Sequence, residues 1–382
     1  MPGFEIFGDE ERQEVQEVLE TGVLFRYAFD DARKGRWKAK TFEEEFARRL
    51  NVEHCLLVSS GTSALCTALA AAGIGAGDEV IVPPFTFVAT FEAVLLAGAV
   101  PVFVDVDETL CLDPEAVERA IGPKTRAVIV VHMCGSMAQI DTLTDVCSRK
   151  NVTLIEDTAQ AVGGTFGGRA LGTFGKLGCF SFDAVKTMTC GEGGAVVTSD
   201  RSLYERADRY ADHGHDHAGA NRGLDAHPIL GTNFRISELH AAVGLAQLRK
   251  LDRILETQRR HKSRLKEALS AHSEISFRKI PDPAGDSATF LSFFLPDERR
   301  AREAASELAA AGVDGCFHWY DNNWHYIRKW EHLGEPRTAG GAPKLDQSDL
   351  IVGRAISMLI KLSWQPGDLD RLTAGIDNVF GR

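Results

Sequence analysis

The sequence lacks the patterns that mark membrane-spanning, secreted or disulfide-linked proteins. Its longest apolar run, Ala93–Val104, is too short to cross a bilayer and contains Pro101. The first residues show no basic stretch followed by an apolar one, so no secretory signal is expected. The eight cysteines have neither CxxC nor Cys/His ligand spacing, which favours buried, reduced thiols over disulfides or zinc. We therefore expect a cytoplasmic protein that does not act in a membrane.

Other absences narrow the class of function. The net charge of −11 argues against a general nucleic-acid-binding surface. No GxGxxG motif follows the early strands, which argues against a Rossmann dehydrogenase. There is no internal repeat and no low-complexity tract. What remains is a chain of 382 residues, 44% hydrophobic and 25% charged, long enough for two globular lobes.

Short Val/Ile-rich segments alternate with amphipathic ones through the first two thirds of the chain. This alternation predicts an α/β domain with a mostly parallel sheet covered on both faces. Beyond it, helices at 239–248 and 248–269, a strand at 290–295 and a helix at 298–311 predict a smaller α+β domain. The predicted domains are 1–250, including an N-terminal segment 1–40, and 251–382, with surface loops at 281–285 and 334–343.

Two segments in the predicted sheet region suggest a ligand site. Ser60–Ala64 lies between a strand and a helix, and its small residues leave free N–H groups and a helix dipole for a phosphate. Most such turns, however, only cap a helix. Glu156–Gln160 follows a buried strand, where ligands of open α/β sheets bind. Asp157 could keep a pyridinium nitrogen protonated and Gln160 could reach the adjacent ring oxygen, although a helix cap is equally compatible.

Two later segments add a reactive amine and further polar groups. Lys186 has small and apolar neighbours in the stretch 181–194, which lowers the pKa of its amine and favours the neutral form that a Schiff base requires. Most lysines are instead solvated surface charges. Asn233 and Arg235 precede a predicted helix and could serve a phosphate or carboxylate, or form a polar turn capped by Ser237.

In their order and spacing, these motifs resemble the DegT/DnrJ/EryC1/StrS sugar aminotransferases. The resemblance implies the aspartate-aminotransferase fold (PLP-dependent transferase fold type I) and pyridoxal 5'-phosphate as cofactor. It assigns Lys186 as the Schiff-base lysine and proton shuttle, and Asp157 as the partner of the pyridine nitrogen. Gln160 would contact the ring hydroxyl and Phe87 would stack on the ring. The remaining cofactor residues are Gly61, Thr62, Ser63 and Ser181 at the phosphate and Asn233, which reaches in from a second subunit of a homodimer.

The same resemblance implies transamination of an oxo sugar by L-glutamate. Family members that act as dehydratases have histidine in place of the lysine, so Lys186 favours the transaminase. The alternatives are a nucleotide-linked 3- or 4-oxo-sugar aminotransferase, an aromatising enzyme of the same family, and a non-catalytic PLP-fold regulator.

Several further segments resemble the subgroup that aminates the 8-oxo form of an octulosonate. Carboxylates on such a sugar acid and on glutamate require basic partners. His213–His217 could instead suggest a metal, but the scarcity of further ligands favours a substrate loop and no metal. The predicted substrate-binding residues are Arg26, His213, His215, Arg235, Trp324 and Lys361.

Overall fold

The computed structural model describes residues 3–218, 222–330 and 344–381. Its first nine strands are β1 (His54–Val58), β2 (Glu79–Val82), β3 (Val100–Phe103), β4 (Thr125–Val131), β5 (Thr153–Asp157), β6 (Thr165–Phe166), β7 (Arg169–Ala170), β8 (Leu177–Ser181) and β9 (Gly194–Thr198). Seven of them form one sheet in the order β1-β9-β8-β5-β4-β2-β3, while β6 and β7 pair separately. Every neighbouring pair of the large sheet is parallel except the two that involve β9. The predicted mostly parallel sheet is therefore present.

The central strands of this sheet are buried on both faces, because helices cover both sides of it. The N-terminal helices are α1 (Asp9–Thr21), α2 (Asp30–Arg33), α3 (Lys38–Leu50), α4 (Gly61–Ala71), α5 (Ala89–Leu96), α6 (Pro114–Ala120), α7 (Ile140–Lys150) and α8 (Arg201–Ala211). Helix α4 is apolar on nearly all sides, since it packs against the sheet and against α5 and α8. Helix α3 is amphipathic and buries Phe42 and Phe46.

A single helix, α9 (Glu238–Ser270), replaces the two helices predicted at 239–248 and 248–269. Ser237 caps it, and its hydroxyl accepts a hydrogen bond from the His240 amide at 3.3 Å. The prediction of two helices was wrong because no residue near Leu248 interrupts the backbone hydrogen bonding. Gly244 allows close approach to α3, since a Cβ there would collide with the Phe42 ring. The expected domain boundary at residue 250 falls inside this helix.

The last third of the chain forms a second, antiparallel sheet. Its strands are β10 (Ser276–Phe277), β11 (Phe290–Phe294), β12 (Cys316–His318) and β13 (Ala355–Leu359), in the order β10-β11-β13-β12. Helices α10 (Glu298–Ala310), α11 (Asp346–Gly353) and α12 (Pro366–Phe380) accompany it. An apolar cluster joins this sheet to the end of α9 through Leu265 and Leu269. The loop predicted at 334–343 lies outside the described residues.

All eight cysteines are free thiols, and seven are buried. Across the described ranges, no helix is both long and apolar enough to cross a membrane.

Candidate active site

The carboxyl ends of β1, β2, β5 and β8 open into one cavity of about 500 Å³. These four strands run in the same direction, so the residues that follow them meet at one edge of the sheet. The cavity also borders the small lobe through β11 and the segment after β12. Seven predicted site residues line it together: Gly61, Thr62, Phe87, Asp157, Gln160, Ser181 and Lys186.

Asp157 ends β5 and is the buried acid of the cavity. Its carboxylate accepts hydrogen bonds from the Thr90 hydroxyl at 2.9 Å and from the Ala159 amide at 3.1 Å. Burial raises the pKa of Asp157, and these two hydrogen bonds oppose that shift. The Thr86 hydroxyl lies 2.7 Å from that of Thr90 and extends the chain of polar contacts. The acid is thus held in one orientation.

The neighbouring acid, Glu156, faces the other side of the sheet because side chains alternate along a strand. It is fully buried and accepts hydrogen bonds from the amides of Gly172 and Gly175, both at 2.7 Å. The His132 ring nitrogen Nε2 lies 3.0 Å from Glu156 Oε2, the same oxygen that accepts from the Gly172 amide. Glu156 is therefore bound by the protein itself, and of these two neighbouring acids only Asp157 lines the cavity.

Lys186 lies in the connection between β8 and β9, where Phe182, Thr187 and Met188 are buried around it. Its low-polarity surroundings lower the pKa of the ammonium, while Asp183 and Asp157 oppose the shift. The Lys186 Nζ atom is 5.9 Å from the centroid of the Phe87 ring. Burial thus favours the neutral form of this amine, which is the form that acts as a nucleophile.

Gln160 is held by the backbone of a tight turn. Its Oε1 accepts a hydrogen bond from the Cys134 amide at 2.9 Å. Cys134 has φ of +55°, a left-handed conformation that brings this amide toward the glutamine. With Oε1 engaged, the NH₂ group of Gln160 remains available to a ligand oxygen.

The start of α4 forms an anion seat beside the end of β8. Ser60 caps the helix by accepting a hydrogen bond from the Ser63 amide at 3.0 Å. A Cβ on Gly61 would lie only 2.8 Å from the Cβ of Ser181, so these backbones approach closely only with glycine. Free N–H groups, a hydroxyl and the positive helix end suit a phosphate.

Ser63 does not line the cavity, although it is one of the predicted phosphate residues. It is buried, and its hydroxyl lies 2.8 Å from those of both Ser59 and Ser60. Its role in the described structure is to complete the helix cap.

Four predicted residues lie together away from this cavity. Asn233 forms a β-bridge with Asp212 and is exposed, and Arg235 forms an ion pair with the Asp212 carboxylate. His213 is exposed and His215 is buried beside them. Among the described residues, no group of three or more His, Cys, Asp or Glu side chains could hold a metal ion. Within one chain, this segment does not reach Lys186.

The remaining substrate candidates are also outside the cavity lining. Arg26 donates to the Leu57 carbonyl at 2.9 Å and to Glu43 at 2.8 Å, so its charge is engaged in the protein. Lys361 contributes its backbone carbonyl to a contact with His261. Trp324 is exposed but stacks on Phe87, with ring centroids 6.0 Å apart and planes at 13°.

The sequence interpretation missed three residues of the small lobe that line the cavity: Trp319, Asn322 and His325. Within residues 319–326, Trp324 is the predicted substrate-binding residue. Their position depends on contacts with the loop after β2, since the Thr86 amide donates to the His325 carbonyl at 2.9 Å. Composition alone gives no sign of that pairing.

Taken together, the residues fit pyridoxal phosphate. The seat at Gly61 would hold its phosphate, Asp157 would face its pyridine nitrogen, Phe87 its ring and Lys186 its aldehyde carbon. Asp157, Lys186 and the residues of the anion seat all line this one cavity.

Comparisons with known proteins agree with this geometry. The profile of the DegT/DnrJ/EryC1/StrS aminotransferase family matches residues 6–376. An L-glutamine:2-deoxy-scyllo-inosose aminotransferase of Streptomyces kanamyceticus is 41% identical over 286 residues, which cover 69% of this chain and 66% of that protein. A GDP-perosamine synthase of Vibrio cholerae is 42% identical over 224 residues, 57% of this chain and 59% of that protein. The matched region thus spans less than two thirds of the length of these relatives.

A solved structure extends the likeness to the whole fold. The crystal structure of a 3-amino-5-hydroxybenzoic acid synthase superposes with a TM-score of 0.87 at 31% identity, over 98% of this chain and 97% of that one. The chain therefore belongs to the DegT/DnrJ/EryC1/StrS aminotransferase family, which confirms the predicted family, fold type I, enzyme class and cofactor.

Proposed function

We propose that this chain is a transaminase that transfers an amino group to the carbonyl of an oxo sugar or a related polyhydroxylated ring. The observation that carries the proposal is the presence of Lys186 and the buried Asp157 in one cavity, beside an anion seat. A non-catalytic regulator would not need both residues in one cavity.

Each of the cavity residues has a distinct role toward the cofactor. Pyridoxal phosphate, when bound, supplies an electron sink. Lys186 would hold the cofactor covalently, and its free amine would carry a proton to and from the reacting carbon. Asp157, oriented by Thr90, would keep the pyridine nitrogen protonated, and the amide of Gln160 would bind the ring hydroxyl. Phe87 would fix the plane of the ring.

The amino donor that we propose is L-glutamate, with L-glutamine as the alternative named for the inosose aminotransferase. Both carry carboxylates, which require cationic partners. No arginine is present among the described residues that line the cavity. We therefore propose a homodimer in which Asn233 and Arg235 of a second copy complete each site, the asparagine at the phosphate and the arginine at a carboxylate.

For the acceptor, the finer proposal is 8-oxo-3,8-dideoxy-manno-octulosonate, converted to 8-amino-3,8-dideoxy-manno-octulosonate for a surface polysaccharide. Its support is the resemblance of segments such as 25–30, 213–217 and 357–364 to that subgroup. Two competing acceptors have support from the relatives, namely an inosose and a nucleotide-linked 4-oxo sugar.

The test follows the two half-reactions separately. Purified protein is loaded with pyridoxal phosphate, and its absorbance spectrum and the release of 2-oxo acid are measured after addition of L-glutamate or L-glutamine. Amino-loaded enzyme is then mixed with the octulosonate, an inosose or a GDP-4-oxo sugar. We expect Lys186→Ala to abolish both steps and the exposed Lys40→Ala to leave them intact. If neither L-glutamate nor L-glutamine changed the absorbance spectrum of the wild-type protein, the transaminase proposal would be refuted.

A further inference from the structure

The wall of the cavity opposite the sheet is formed by a small-lobe segment fixed to the loop after β2. The amides of Thr86 and Val88 donate to the carbonyls of His325 and Trp324, at 2.9 and 3.0 Å. The Ile327 amide donates to the Pro84 carbonyl at 3.0 Å. This backbone pairing holds the His325 side chain against the cavity that contains Lys186.

The protonation state of His325 follows from its neighbours. Its Nδ1 lies 2.9 Å from Asn322 Oδ1, and the same oxygen accepts a hydrogen bond from the Trp324 amide at 3.0 Å. Because Asn322 Oδ1 acts as an acceptor, Nδ1 carries the proton and Nε2 presents a lone pair. Burial, and then the charge of Lys186, lower the pKa of His325 to about 4, so the ring is neutral near pH 7.

Trp319 supplies a complementary group next to this ring. It is 2% exposed, lines the cavity and lies with its ring centroid 4.8 Å from that of His325. Its indole N–H is buried and has no hydrogen-bond partner in the part of the chain that the structure describes. His325 is half-buried and lines the same cavity, and Nδ1 is the ring nitrogen that Asn322 engages. Buried polar groups without partners are costly unless a ligand satisfies them.

We infer that Trp319 and His325 recognise hydroxyl groups of the acceptor substrate. His325 Nε2 accepts a hydrogen bond from one hydroxyl of a polyhydroxylated oxo compound, and the Trp319 N–H donates to a second oxygen of the same molecule. This inference rests on the proposed function and makes the two side chains specificity determinants of its second half-reaction. The donor amino acid has no hydroxyl that could donate to His325 Nε2, so His325 discriminates between the two substrates.

The experiment compares His325→Phe and Trp319→Phe, which keep an aromatic ring and remove the polar atoms. Trp330→Phe is the matched control, because the Trp330 indole N–H is also buried without a partner but lies outside the cavity lining. Rapid mixing measures each half-reaction separately. The probes are L-glutamate and the acceptor that wild-type protein turns over, together with its analogue lacking one hydroxyl beside the carbonyl, for example scyllo-inosose and 2-deoxy-scyllo-inosose.

We expect His325→Phe and Trp319→Phe to lower the acceptor kcat/KM by about 10- to 100-fold, and His325→Phe to lower the donor half-reaction by less than about twofold. Loss of the recognised hydroxyl should weaken wild-type turnover and have no added effect in His325→Phe, which is the coupling expected of a direct contact. His325→Gln, which retains an acceptor, should recover part of the loss. This rescue distinguishes recognition from a purely structural role.

The contrary results are equally specific. Equal losses in both half-reactions of His325→Phe, or a hydroxyl effect that is unchanged in that variant, would overturn the inference while leaving the proposed function intact. Wild-type protein that completes the glutamate half-reaction but turns over no oxo sugar or inosose would refute the proposed acceptor class and, with it, this inference.

Discussion

Thr90 donates its hydroxyl hydrogen to the Asp157 carboxylate at 2.9 Å, across the space between α5 and the end of β5. This hydrogen bond stabilises the charged form of an acid whose burial raises its pKa. Thr90→Val, which keeps the shape of the side chain, removes it. We expect the Kd for pyridoxal phosphate to rise about fivefold to tenfold, equivalent to about 1 kcal/mol. Absorbance titration of the apoprotein measures this change.

Thr67→Val is the matched control for that substitution. Thr67 is fully buried in α4, and its hydroxyl has no partner among the described residues. Its replacement by valine should therefore leave cofactor affinity unchanged and cost no stability. An unaltered Kd in Thr90→Val as well would show that Asp157 needs no support from α5.

The anion seat gives a second prediction. An alanine Cβ at Gly61 would lie 2.8 Å from that of Ser181, so Gly61→Ala must displace α4 from β8. We expect cofactor affinity to fall at least tenfold and stability to fall by about 1–3 kcal/mol. Gly367→Ala, in the first turn of α12 with no heavy atom within 4 Å of the added Cβ, is the control. The affinity for pyridoxal phosphate is measured by isothermal titration calorimetry. An affinity of Gly61→Ala equal to that of wild type would argue against this seat.

The features that the sequence predicted well depend on local patterns. Buried Val/Ile segments define β4, β5 and β9, and the acid after β5 and the lysine after β8 are recognisable from their immediate neighbours. Parallel strands then bring Asp157 and Lys186 to the same edge without any further information. The sequence interpretation therefore placed Asp157 and Lys186 at the edge of the sheet where the structure brings them together.

The features that it missed depend on contacts between distant segments. His325 enters the cavity because its backbone pairs with Thr86, more than 200 positions earlier in the chain. Ser63 resembled a phosphate ligand, but its hydroxyl turns toward Ser59 and Ser60. Neither outcome can be inferred from residue type and spacing, because side-chain direction at a turn depends on the packed neighbours.

A third prediction concerns pH. His217 Nδ1 lies 2.7 Å from Asp208 and Nε2 lies 2.9 Å from Asp212, while Tyr27 packs on the ring at 4.7 Å between centroids. These two carboxylates raise the pKa of His217 to about 9 from an ordinary value of 6.5. Its contribution to stability is therefore complete below about pH 6.5 and is lost as the pH rises through about 9.

The measurement is the melting temperature of wild type and His217→Gln between pH 6 and pH 10. We expect wild type to melt about 2–3 °C higher at pH 6 and this difference to disappear near pH 10. His240→Gln serves as control, since His240 is exposed and contacts the Ser237 hydroxyl in place of a carboxylate. A difference that persists to pH 10 would assign the stabilisation to packing on Tyr27.

The last prediction separates two possible roles of Trp324. Its ring stacks on Phe87, and its 57% exposure leaves the other face open to solvent. If Trp324 mainly supports Phe87, Trp324→Ala should raise the Kd for pyridoxal phosphate about threefold to tenfold, as expected from the loss of an aromatic pair. Trp324→Phe should then restore the affinity.

If Trp324 instead binds the acceptor as a sugar platform, the acceptor KM should rise in Trp324→Ala even with saturating cofactor. An unchanged KM under that condition, combined with weaker cofactor binding, would remove Trp324 from the substrate site and assign it to the support of Phe87.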